Sequence, residues 1–140
     1  MSPGTILSDP HFEVEEGLQR RKYFVLLNDG ANGHYLTAKI TSQGRRYPAV
    51  YGCHLLRFPC FHLPVRRCRL PRPSWVQLTA YYPFGAGSIM ESIMQGSVHV
   101  YDQLDDEITV DLLDCVLRGE DVPEGFRDEM GRVREALDRS

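Results

Sequence analysis

The hydrophobic pattern changes period near residue 104, and that change restricts the fold more than any other feature of the chain. Before it, KYFVLLN (22–28) is a solid apolar run rich in aromatic and branched residues, which predicts a buried strand. HYLTAKIT (34–41) sets Tyr35, Thr37 and Lys39 against Leu36, Ala38 and Ile40, the alternation of a half-buried strand. DGANG between them is a turn cluster, so the two strands form a hairpin. After residue 104 the period becomes helical. Ile108, Leu112, Leu113, Val116 and Leu117 share one stripe, and Gly119 is a stop. Phe126, Met130, Val133 and Leu137 mark a second amphipathic helix starting near Pro123. Strands followed by helices predict an α+β chain, a small barrel or curled sheet covered by a C-terminal helix pair.

The remaining segments fit that order. Residues 2–8 read as a short opening strand and DPHFEVEEG as an acidic loop. Residues 43–73 read as loops with one or two short strand pieces around FHLP, because Pro59, Pro64, Pro71 and Pro73 exclude a long regular element. SWVQLTAYY is a strand with Trp75, Gln77 and Thr79 on one side and Val76, Leu78 and Ala80 on the other. PFGAG breaks it, SIMESIMQG is a helical turn or a loop, and SVHVYDQL is a last strand. With 140 residues, the chain is expected to be one domain, 1–140. No stretch approaches the roughly 18–20 apolar residues of a membrane span. The N-terminus has neither a basic start nor a long apolar run, so a cytoplasmic location is expected.

The net charge of −3 hides a polarity. From Arg20 to Arg72 there are eleven Lys/Arg and one acid, Asp29, whereas Asp102 to Asp138 holds thirteen acids and four Arg. Such a chain either presents a basic face to an anion or folds its acidic end onto its basic middle, and both can hold together. Arg20, Arg21 and Lys22 precede one hairpin strand, and Thr41-Ser42 close the other. An antiparallel hairpin makes these places neighbours. A guanidinium fork and a hydroxyl beside it suit a phosphate, with Glu16 upstream to orient the cation or take a proton. A basic strand end with an ordinary turn Thr-Ser is the structural alternative. Arg45, Arg46, Arg57, Arg66, Arg67, Arg69 and Arg72 are interleaved with Tyr47, Tyr51, Phe58, Phe61 and His62. Single-stranded nucleic acid wants that mixture of cations for its backbone and rings for its bases.

Cys53, His54, Cys60, His62 and Cys68 have the residue types of a zinc site but not its spacing, since no C-x2-C pair exists. No metal or other cofactor is expected. Without a secretory leader, disulfides are not expected either, and Cys115 reads as a buried thiol.

PGTIL, the acidic loop with Glu16, RRKYFVLLND and KITS together resemble the MazF/PemK-like toxins of bacterial toxin–antitoxin pairs over roughly residues 3–43. Pro3-Gly4, Glu16, Arg21, Asn28-Asp29 and Thr41-Ser42 fall where that family's pattern asks, and Lys22 stands where it has Pro. The resemblance implies a small SH3-like β-barrel, about 3–102, followed by a helical part, about 105–138. It also implies a homodimer, an antitoxin partner and metal-independent cleavage of single-stranded RNA by 2′-hydroxyl attack. Arg21 would be the catalytic cation, or Lys22 if the register slips by one, with Thr41 gripping the phosphate and Glu16 assisting. His11 and His34 are further proton acceptors to consider. Ser42, Arg45, Arg46, Arg57, Arg66 and Arg67 would hold RNA. The alternative is a non-catalytic module that binds nucleic acid or protein on the same barrel.

Overall fold

A computed structural model describes residues 1–15 and 18–139, with the side chains of 11–20 and of 65 outside the description. Eight antiparallel strands and three α-helices follow one another as β1 (Thr5–Glu15), β2 (Leu18–Leu26), β3 (His34–Thr41), β4 (Gly52–His54), β5 (Cys60–Leu63), β6 (Ser74–Gln77), β7 (Tyr82–Gly85), α1 (Ala86–Met94), β8 (His99–Gln103), α2 (Asp106–Arg118) and α3 (Glu124–Arg139). The class is α+β, as the change of period predicts. The sheet runs β4-β5-β6-β3-β2-β1-β8, and β7 shares the free edge of β3 with β6. That path is open: among the described residues its two ends, β4 and β8, do not pair, so strand pairing does not close a barrel.

The β2–β3 hairpin is the frame. Tyr23 stands opposite Ile40, Phe24 opposite Lys39 and Val25 opposite Ala38. Val25, Leu36, Ala38, Ile40 and Val76 face one core, which α2 and α3 complete with Leu112, Leu113, Val116 and Met130. The opposite face is also covered. Leu7, Leu26 and Tyr35 pack with Ile89 of α1, so β3 is buried on both sides rather than on one. Buried Asn28 closes the loop end of the hairpin. Its amide donates to the His34 carbonyl at 3.0 Å and its oxygen accepts from Leu36 N–H at 3.0 Å.

Several expectations are corrected by packing. The opening strand does not stop at residue 8 but continues through the predicted acidic loop to Glu15, because β2 begins at Leu18 and supplies partners as far as Leu18 itself. The bulges between Asp9 and Phe12 and between Glu13 and Glu15 accommodate the irregular pattern. SWVQLTAYY divides after Gln77. PFG, the first part of the expected break PFGAG, instead joins Tyr82 in β7, since an edge strand tolerates Pro83. SIMESIM lies within the nine-residue helix α1. In α2, the Asp105 carboxylate caps the Ile108 amide at 2.9 Å and Gly119 follows the last turn.

The expectation of free thiols is also corrected. Cys53 of β4 and Cys115 of α2 form a disulfide across 62 residues of sequence, and Cys60 and Cys68 are free. The cause is tertiary, because β4 lies against α2. The other residues of the Cys/His run have separate fates. His54 bonds the Val50 carbonyl, His62 is buried beside Trp75, and Cys68 Sγ donates to the Pro64 carbonyl. Among the described residues no helix is long and apolar enough to cross a membrane.

Candidate nucleic-acid interface

Where β2 begins and β3 ends, a cleft of about 810 Å³ opens against the 70–74 segment. Its cations are Arg21 and Lys22 from β2, Lys39 from β3, and Arg72 from the opposite wall. Thr41, Ser42 and Ser74 add hydroxyls, and among the described residues no Asp or Glu lines it. Four of the residues singled out from sequence, Arg21, Lys22, Thr41 and Ser42, therefore meet in one place. The reason is the hairpin register: β2 and β3 pair from Leu26–Thr37 to Tyr23–Ile40, so Arg21 and Lys22, which precede that last pair, lie at the same end of the hairpin as Thr41 and Ser42, which follow it. Alternation then sends Arg21 to the face of Tyr23 and Lys22 to the face of Phe24 and Lys39.

Each group is held differently. The Arg21 guanidinium donates to the buried Ser8 hydroxyl at 2.7 Å, which anchors one arm of an exposed side chain. Lys22 stands opposite Asp9 across β1–β2. The Lys39 ammonium lies 4.8 Å from the centre of the Tyr82 ring. The Thr41 oxygen accepts from the Gln43 amide at 3.1 Å, which leaves the hydroxyl proton for another acceptor. Burial, followed by the neighbouring Tyr101, pushes the Tyr23 phenol at the cleft above its ordinary value. The arrangement concentrates positive charge around hydroxyl donors, which is what a phosphodiester requires.

The other expected RNA contacts separate. Arg67 pairs with Asp105 at 2.7 Å and Glu107 at 3.5 Å, at the N-terminus of α2. The Asp105 hydrogen bond raises its pKa. Burial pushes Asp105 upward, but the Ile108 amide and Arg67 outweigh it and hold the carboxyl below its ordinary value. Part of the acidic end thus folds onto the basic middle, and the Arg69 backbone amide donates a hydrogen bond to the Asp102 carboxylate. Arg66 is exposed away from the cleft lining, whereas Arg45, Arg46 and Arg57 lie on the exposed segments flanking β4. Phe61 and His62, taken as stacking residues, are buried: Phe61 in the core, His62 against Trp75. His34 begins β3 at the end remote from the cleft, opposite Gly85. Glu16 lies outside the described residues, as does the side chain of His11. Arg72, one of the arginines interleaved with aromatic residues in the sequence, lines the cleft, and so do Lys39 and Gln77, which the sequence does not mark as site residues. For Lys39 the signal was present, since it lies on the polar side of the β3 alternation. For Arg72 and Gln77 only the β3–β6 pairing brings them close.

Comparison with protein-family models and with curated proteins returns no match for this chain.

Proposed function

We propose that the cleft holds the sugar–phosphate backbone of single-stranded RNA. One observation carries this: Arg21, Lys22, Lys39 and Arg72 converge with Thr41 and Ser42 on a cleft whose lining, among the described residues, holds no acid. The strands β1, β2, β3, β5 and β6 around one core support placing the chain as a divergent, open variant of the SH3-like barrel of MazF/PemK-like proteins.

A second reading takes the same site further, to a metal-independent endoribonuclease acting as a toxin. It is favoured by the meeting of Arg21 and Thr41, the pair that the resemblance requires, in one cleft. A ribose 2′-hydroxyl would attack the adjacent phosphorus, breaking the P–O5′ bond and leaving a 2′,3′-cyclic phosphate and a 5′-hydroxyl. Arg21, with Lys22 beside it, would stabilise the charge building on the phosphoryl oxygens, and the Thr41 hydroxyl would donate to one of them. Glu16, or His11 in its place, would take the 2′-hydroxyl proton, and the leaving 5′-oxygen would take a proton from that acid or from water. An antitoxin, a homodimer and a cytoplasmic location go with it. The Cys53–Cys115 bond pulls against that location, because cytoplasmic thiols are kept reduced.

The test is incubation of the protein with a long unstructured RNA in EDTA, beside an Arg21→Ala/Lys22→Ala double variant. Fragments ending in 2′,3′-cyclic phosphate from the wild type alone establish the nuclease. Intact RNA that shifts on a gel with the wild type and not with the variant establishes the binding module. No shift and no cleavage refutes both.

A further inference from the structure

Beside the cleft, the segments flanking β4 build an aromatic shelf. Trp75 stacks on buried His62 with ring centres 4.6 Å apart, and Tyr47 lies over Trp75 at 6.1 Å and 27°. The Tyr47 hydroxyl accepts a hydrogen bond at 3.2 Å from Gln77, itself part of the cleft wall. Phe58 meets Tyr47 edge-on at 6.5 Å, and the Arg46 guanidinium lies over the Phe58 ring, 5.1 Å from its centre.

Three features of this shelf are not explained by packing. Phe58 and Leu56 remain 39% and 91% exposed, although both are large and apolar. Between them, Arg57 has a φ of 65°, the only positive φ at a non-glycine among the described residues, so the tip that presents them is held in a costly conformation. From Gly44 to Phe58 there are three arginines and no acid. An apolar protein partner would leave those cations to be desolvated without partners. A flat base carrying a phosphate on each side would use both the ring and the charge.

We propose that Phe58, backed by Tyr47 and flanked by Arg46, is a nucleobase-stacking subsite for the nucleotide next to the one held in the cleft; this rests on the cleft being a phosphate site. The subsite supplies base contact without hydrogen-bond readout, so it favours single strands over duplexes while tolerating any base.

Binding of two ligands by fluorescence anisotropy tests it. One is a 2′-O-methyl RNA oligonucleotide, which cannot attack its own phosphate. The other is a chain of the same length with the bases removed. The wild type should bind the base-bearing strand about tenfold more tightly. Phe58→Ala should bring that ratio close to one while keeping the affinity for the base-free chain, and Phe58→Trp should keep the ratio. Arg21→Ala/Lys22→Ala should weaken both ligands and leave the ratio unchanged. Equal binding of both ligands by the wild type overturns the subsite and leaves the cleft standing. Binding of neither refutes the cleft, and the subsite with it. If Phe58→Ala leaves RNA binding intact but dissociates an oligomer, the shelf is a protein contact and the proposal fails.

Discussion

At the scale of single residues, Glu129 is the least comfortable group in the described structure. It is buried at 8% exposure, and neither carboxylate oxygen has a hydrogen-bond partner among the described residues. Asn28 and Asp29 are close enough to influence its charge, but neither reaches hydrogen-bonding geometry. Burial pushes its pKa up, and Asp29 pushes it further. A carboxyl whose folded pKa lies above its unfolded value binds more protons in the native state. Stability from this group is therefore full below the unfolded value, near 4.5, and declines as pH rises through the raised folded value. Glu129→Gln should raise stability at pH 7.5 by about 1 kcal/mol. The gain should shrink toward zero at pH 4, as read from urea midpoints at both pH values. A variant less stable than wild type at pH 7.5 would mean that the carboxylate has a partner when charged.

At the scale of elements, the disulfide and the two helices hold β4 to the rest. β4 is only three residues long, and among the described residues its one strand partner is β5. Cys53–Cys115 and the Tyr51 hydroxyl, which donates to Asp111 at 2.7 Å, tie it to α2. Cross-linking residues this far apart in sequence is worth about 2–4 kcal/mol by restricting the unfolded chain. Cys53→Ser should lower stability by that amount, and a thiol reductant should bring the wild type to the same level while leaving the variant unaffected. Indifference of the wild type to reductant would mean that the bond does not form. The apolar stripes predicted for the helices are those that pack: Leu112, Leu113 and Val116 are fully buried, and burial of a side chain the size of Leu113 contributes about 2 kcal/mol. The strands were less legible. Register and edge position, which decide β7 and the length of β1, depend on partners distant in sequence.

For the whole molecule, the charge polarity has two structural outcomes at once. Arg67 is neutralised at the start of α2, and the Arg69 backbone amide donates to Asp102, whereas Arg21, Lys22, Lys39 and Arg72 surround a cleft with no acid among the described residues of its lining. Four cations on one single strand predict that log K falls against log salt with a slope of about −3. The Arg21→Ala/Lys22→Ala variant should roughly halve that slope. An unchanged slope in the variant would place the phosphate contacts elsewhere on the surface.

The sequence by itself determined the α+β class, the β2–β3 hairpin, both C-terminal helices and the meeting of Arg21 and Lys22 with Thr41 and Ser42. Each depends on a local period or on the geometry of a single hairpin, and both can be read within a few tens of residues. Only the tertiary structure decided that β3 is buried on both faces, that Cys53 reaches Cys115, that Arg67 is taken by α2, and that Arg72 and Gln77 join the cleft. Those outcomes depend on which distant segments pack together, and packing is set by the shape and burial of the assembled chain, which no local pattern encodes.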